Sequence, residues 1–123
     1  MSGPREVCFL IGRGGALLWA DLGPSPAALP DSRARWEALW RHREELEEVA
    51  HSHPLGPDAF SEEDRTTMQA LAAALPRVPR FSVLSPRGLR VRAPDGREAL
   101  TPARAPEEPW WCALLRAASH MPA

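Results

Sequence analysis

Two histidines two residues apart, His51 and His53, are followed by Pro54, Gly56 and Pro57 and then by Ser61 and Asp64. This order constrains the local backbone more than any other feature of the chain. On an extended segment, side chains i and i+2 project to the same face, so a strand ending near residue 52 presents both imidazoles together. A loop over 54–60 with two prolines and a glycine breaks that strand and turns the chain back. Ser61-Glu62-Glu63-Asp64 then reads as a helix start, with Ser61 as N-cap and carboxylates in the first turn. A strand end, a returning loop and a helix N-terminus are thereby set against one another, and Asp64 is carried back toward the imidazoles. Two histidines and one carboxylate are zinc ligands by type. They leave a fourth position for water, and an open position separates a catalytic zinc site from a closed structural one.

The spacing His-Ser-His, seven residues, Ser, two residues, Asp resembles that of the JAMM (MPN+) metalloprotease family at each of those positions. Pro4-Arg5-Glu6-Val7-Cys8-Phe9-Leu10-Ile11-Gly12 is similar to the glutamate-bearing segment of that family, Pro-x-Glu-x-Cys-x-Leu-x-Gly. The resemblance implies one zinc per chain held by His51, His53 and Asp64 with water as fourth ligand. It also implies Glu6 as general acid/base on that water and Ser61 as oxyanion donor. The implied reaction is hydrolysis of a peptide or isopeptide bond at the C-terminus of a ubiquitin-like or sulfur-carrier protein. The implied fold is the JAB/MPN type, a mixed sheet flanked by helices.

Physical chemistry is consistent with these roles. Zinc lowers the pKa of bound water from about 15.7 to about 7 and polarises a carbonyl. Peptide hydrolysis further needs a base that takes the water's proton and returns it to the departing amine. An oxyanion donor is worth about 2.7–4 kcal/mol. Glu47 and Glu48 are nearer in sequence to the histidines than Glu6. In a strand over 47–53, however, Glu48 faces away from His51, and Glu47 lies about 13 Å off at roughly 3.3 Å per residue. Glu62 and Glu63 suit the positive end of a helix and can be simply solvated there. By elimination Glu6, on a neighbouring strand, is the candidate base.

Each residue also has a plainer reading. A His-x-His pair is often a surface feature, Ser61-x-x-Asp64 is an ordinary helix-start signature, and Glu6 can be a solvated residue near a terminus. Cap and oxyanion donor are expected to compete for the Ser61 hydroxyl. His42 and His120 are assigned no role. Cys8 and Cys112 are too few and too scattered for a disulfide framework and read as small buried hydrophobes, Cys8 not as a ligand.

With 123 residues the chain is expected to form one domain over 1–123. Its net charge is −1 with acidic and basic residues interspersed, which gives no footprint for nucleic acid or an anionic membrane. No apolar run approaches the roughly 18 residues of a membrane span and no signal-peptide pattern opens the chain, so a cytoplasmic location is expected. All 15 basic residues are arginine. A GC-rich genome explains that, and so would escape from a lysine-modifying pathway.

Two strands, 6–11 and 15–20, are expected around Arg13-Gly14-Gly15, followed by a loop over 21–31. Asp31 or Ser32 can cap a helix whose buried face carries Trp36, Leu39, Trp40 and Leu46, the tryptophans being taken as core. A strand near 47–52 leads into the histidines. The helix over 61–75 places Met68, Leu71, Ala72 and Leu75 inward and stops at Pro76. Residues 81–84 and 89–92 read as a hairpin, Asp95-Gly96 as a turn, and Trp110 onward as a short helix. Alternating strands and helices argue for an α/β layered domain.

Departures from the family pattern are also legible. Family members usually carry a helix before the glutamate segment, whereas five residues precede Glu6 here. That layer is expected to be missing, or to be supplied by the C-terminal helix, an oligomer or a partner. Phe9, Ala50 and Phe60 depart from common family residues and bear on the shape of the cleft. The length is similar to that of minimal prokaryotic members, which implies a ubiquitin-like or sulfur-carrier substrate and, as pathway partners, E1-like or E2-like enzymes. Two other readings remain: a non-catalytic MPN scaffold that binds partner proteins, and a RadC-like protein, in which Asn usually stands where Ser52 does.

Overall fold

The computed structural model describes residues 3–26 and 32–122. Its centre is a strand that sequence alone marks as buried on both faces. Val7–Gly12 (β1) is apolar without alternation and buried along its whole length, as a strand between two covering layers must be. A 3-10 turn at Arg13–Gly15 returns the chain into β2 (Leu17–Leu22), antiparallel to β1. On its other side β1 pairs antiparallel with β3 (Leu46–Ser52), and β3 runs parallel to β4 (Arg80–Ser85). The strands β5 (Gly88–Arg92) and β6 (Glu98–Pro102) continue antiparallel, giving a six-stranded mixed sheet of order β2-β1-β3-β4-β5-β6. The β4–β5 turn requires a glycine. Gly88 has φ 143°, and a Cβ there would lie 2.1 Å from the Thr101 carbonyl oxygen.

Among the described residues, three helices cover the two faces. The first, α1 (Arg33–Arg41), joins β2 to β3; α2 (Glu62–Ala74) makes the β3–β4 crossover; α3 (Trp111–Ser119) follows β6. Alternation along β1 divides the core between them. Cys8 and Leu10 pack with Leu39 of α1 and Met68 and Leu71 of α2, above Phe81 and Val83. Val7, Phe9 and Ile11 pack instead with Trp111, Cys112 and Leu115 of α3, above Leu84 and Leu89. Burying each such side chain contributes about 1.5–3 kcal/mol, so the face opposite α1 and α2 depends on α3 for its cover. The fold is an α/β mixed sheet between helical layers, and the C-terminal helix supplies the second layer.

Several sequence expectations need correction. Leu46 does not belong to the α1 face. That helix stops at Arg41 with His42 as C-cap, and Leu46 opens β3, where alternate residues are buried. The tryptophans of α1 are not core either, since Trp36 is 37% and Trp40 58% exposed, while Ala38 and Leu39 make the buried contact. The Trp40 ring lies under the Arg43 guanidinium at 4.2 Å, which satisfies its face without burial. Leu75 is the C-cap of α2 rather than part of it, and β2 starts and ends two residues later than expected, residue 15 belonging to the 3-10 turn. Ser32 caps α1 by accepting the Arg35 N–H at 3.2 Å, whereas Asp31 lies outside the described residues. Among the described residues, no helix is long and apolar enough to cross a membrane.

Candidate metal centre

His51 is the penultimate residue of β3 and His53 stands one residue past its end. Period-two alternation brings both imidazoles to the α1/α2 face, with their Nε2 atoms 3.2 Å apart. The His53 amide donates to the Leu84 carbonyl at 2.8 Å and keeps the backbone on β4 after pairing stops. Gly56, at φ 84°, turns the loop back with its amide donating to the His53 carbonyl at 2.9 Å. The following peptide, Gly56–Pro57, is cis. The Pro57 carbonyl then lies 3.1 Å from His53 Nδ1. A carbonyl only accepts, so Nδ1 carries a proton, and in the neutral ring Nε2 turns its lone pair to the site. Arg90 of β5 anchors the rest of the loop by donating from Nε to the Asp58 carbonyl at 2.5 Å.

Asp64 reaches the same point from α2. It is the N3 residue of a capping box in which Ser61 Oγ accepts the Asp64 N–H at 3.0 Å and Asp64 Oδ2 accepts the Ser61 N–H at 2.8 Å. That same Oδ2 lies 3.1 Å from His51 Nε2 and 3.3 Å from His53 Nε2. The three atoms thus form a nearly equilateral triangle. Tetrahedral ligands at about 2.0–2.1 Å from zinc stand about 3.3–3.4 Å apart, so this donor set and its spacing fit the ion.

Glu6 immediately precedes β1 and is buried. Its amide donates to the Ser25 carbonyl at 2.8 Å and its carbonyl accepts from Gly23 at 2.7 Å. Its Oε1 lies 3.9 Å from His53 Nε2. Among the described residues, ligand atoms of Glu6, His51 and His53 all fall within 4.8 Å of one another and could hold a metal ion. Two carboxylates therefore approach the imidazole pair, Asp64 more closely than Glu6.

The electrostatics separate them. Burial raises the Glu6 carboxyl above its ordinary value, although His53 and His51 oppose it. Burial also acts to raise Asp64, but hydrogen bonds from His51, His53 and the Ser61 amide prevail and hold it well below the usual carboxylate range. For His53, burial opposes the charged form, yet the hydrogen bonds to Asp64 and Pro57 win and its pKa rises. The Asp64 and His53 shifts share a cause: each group stabilises the charged form of the other.

The other candidates are not part of the cluster, although Glu62, Glu63 and Cys8 line the same cleft. Glu48 is buried on the opposite face, accepting from Ser82 Oγ at 2.7 Å and Arg80 Nε at 3.2 Å, and Glu47 faces Arg13 and Arg77 at 3.9 Å each. Glu62 and Glu63 are exposed in the first turn of α2. His42 bonds Glu45, and His120 Nδ1 lies 3.1 Å from the Gly3 carbonyl. Cys8 shares the cleft face with His51, its cross-strand partner, but burial pushes its thiol up to about 12. Cys112, similarly raised to about 12 by burial, lies on the buried face of α3 against β1.

The Ser61 hydroxyl shows why the expected competition does not arise. In the capping box it accepts a hydrogen bond, which leaves its own proton to donate, and the residue is exposed at the cleft rim. Glu6, His51, His53, Ser61 and Asp64 all line one cleft of about 850 Å³ between α1 and α2. Sequence reasoning missed the Pro57 carbonyl, a backbone group with no residue-type signal. It also missed Ser52, whose buried hydroxyl is visible in sequence only as the residue between the histidines.

A family model described as prokaryotic homologs of the JAB domain matches residues 2–108. No curated protein matches the chain. The match includes all six strands, the cleft and every residue of the cluster, so this chain belongs to the family of prokaryotic JAB-domain homologs.

Proposed function

We propose that the chain is a zinc-dependent peptidase or isopeptidase, with His51, His53 and Asp64 as ligands, Glu6 as general acid/base and Ser61 as oxyanion donor. The observation that carries this reading is the triangle of two Nε2 atoms and one carboxylate oxygen, with sides of 3.1–3.3 Å. A zinc ion held there would polarise the scissile carbonyl and make a water acidic enough to ionise near neutral pH. The chain's own residues supply the rest.

Asp64 takes the ligand role over Glu6 because its Oδ2 is the closer oxygen and its carboxyl stays ionised. Glu6, set back at 3.9 Å and raised by burial, suits proton transfer instead. Its Oε1 accepts the proton of the attacking water and returns it to the nitrogen of the leaving amine. Ser61 Oγ–H, free of the capping bond, donates to the carbonyl oxygen as negative charge develops there.

The substrate in this reading is the C-terminal tail of a ubiquitin-like or sulfur-carrier protein, processed beside E1-like or E2-like enzymes. Elemental analysis of purified protein tests the site. About one zinc per chain is expected in wild type and in Glu6→Gln, with zinc lost in His53→Ala. Turnover should be absent in both variants. Wild type that stays free of metal after zinc addition would remove the hydrolytic reading, and zinc loss in Glu6→Gln would make Glu6 a ligand.

A further inference from the structure

We infer that Ser119, in the last turn of α3, is a positioning residue for the metal centre and acts through Ser52; the inference rests on the zinc-site reading above. Ser52 stands between His51 and His53, and strand alternation turns its side chain away from the imidazoles, toward α3. There its fully buried hydroxyl accepts the Val7 N–H at 2.9 Å and meets Ser119 Oγ at 2.6 Å. Val7 directly follows Glu6. One hydroxyl therefore joins the residue between the two histidines to the residue beside the carboxylate.

The bond sits where regular pairing runs out. The register of β1 on β3 ends at Cys8 opposite His51. The next donor toward the site, the Val7 amide, is taken by the Ser52 side chain, so the seat of Ser52, and with it the two histidines that flank it, depends on where that hydroxyl is held. Ser119 holds it. The same turn of α3 also fixes the chain before Glu6, since the Arg5 amide donates to the Ser119 carbonyl and Arg5 Nε to the Ala118 carbonyl, each at 2.9 Å. Glu6 thus lies between two residues that are both tied to this turn, directly at Arg5 and through Ser52 at Val7. The family match stops at residue 108, so this support comes from a helix beyond it.

A role confined to stability and a role in positioning give different results. Ser119→Ala, Ser52→Ala and the double variant are compared with wild type in three measurements. These are zinc affinity by competition with a chromophoric chelator, the visible absorption of the cobalt-substituted protein, and the thermal midpoint without metal. Positioning predicts that each single variant weakens zinc by about tenfold, because the two histidines flanking Ser52 lose their fixed spacing, an effect of the size seen when groups that orient metal ligands are removed. The cobalt bands should shift as the ligand geometry relaxes. The double variant should bind no more weakly than Ser52→Ala, because Ser52→Ala already removes the bond that Ser119→Ala breaks.

Zinc affinity within about twofold of wild type, with unshifted cobalt bands, would overturn the inference whatever happens to the midpoint, as would loss of the folded state in both single variants. If wild type itself binds no zinc, the zinc-site reading falls first. If wild type and both variants bind equally, only the inference about Ser119 fails.

Discussion

At the scale of single residues, one carboxylate oxygen has two duties. Asp64 Oδ2 closes the capping box of α2 and also faces both imidazoles, so the start of the helix and the geometry of the site are the same local structure. Ser61 is the other half of that box, and its hydroxyl can accept from Asp64 while donating elsewhere. Ser61→Ala therefore separates two energies. Loss of the cap alone should lower stability by about 0.5–2 kcal/mol in a denaturant titration. Loss of an oxyanion donor should lower kcat by about 10²–10³-fold. Zinc content should hold, because the bond from the Ser61 amide to Asp64 involves no side-chain atom of Ser61. A variant with the stability loss and an unchanged kcat would confine Ser61 to the cap.

At the scale of elements, the second layer rests on how the segment after β6 is joined to α3. Arg116 of α3 grips both carboxylate oxygens of Glu108, with Nη1 to Oε1 at 2.8 Å, and the Arg104 amide donates to the same carboxylate at 3.0 Å. The Arg116 hydrogen bond is the main reason the Glu108 carboxyl lies below its ordinary value. A depressed carboxylate stabilises the fold above its unfolded-state pKa, and that stabilisation is lost as pH falls through the folded-state value. Glu108→Gln should therefore cost about 1.5–3 kcal/mol at neutral pH, and the gap from wild type should close in acid. A gap independent of pH would mean that shape rather than charge holds the segment. The presence of α3 was legible in sequence; its contacts were not, because a pattern of apolar residues does not say which face they cover. The limit is the same for Trp36 and Trp40, whose spacing matched a core stripe although the buried positions are Ala38 and Leu39. Strands β1, β3 and β4 and the start of α2 were legible because alternation, unbroken apolar runs and a cap each have a local physical cause. The convergence of Glu6 with the histidines needed the β1–β3 register, which follows from the resemblance and not from residue spacing.

At the scale of the whole molecule, the cluster draws its groups from distant parts of the chain. Glu6 precedes β1, His51 and His53 stand at the end of β3, and Asp64 belongs to α2, while the β4–β5 hairpin and α3 hold the loop and the strand ends from outside. An unfolded chain presents no such arrangement, so an ion that binds these groups binds the folded state almost exclusively and must stabilise it by mass action. At a free zinc concentration 1,000 times the dissociation constant, that linkage is worth about 4.1 kcal/mol. For a chain of this length it should raise the thermal midpoint by upwards of about 10 °C in calorimetry. Chelator should reverse the shift, His53→Ala should abolish it, and Glu6→Gln should keep it, because Glu6 is assigned to proton transfer. Magnesium should give little, since it prefers six oxygen ligands and keeps its waters. The contrast between the two variants matters more than the size of the shift. A general electrostatic effect of a divalent cation on an acidic cleft would weaken on removing either group, whereas a coordination site must distinguish a ligand from the base beside it. Equal midpoints with and without zinc would show that the triangle does not bind the ion, and the hydrolytic reading would lose its chemical basis.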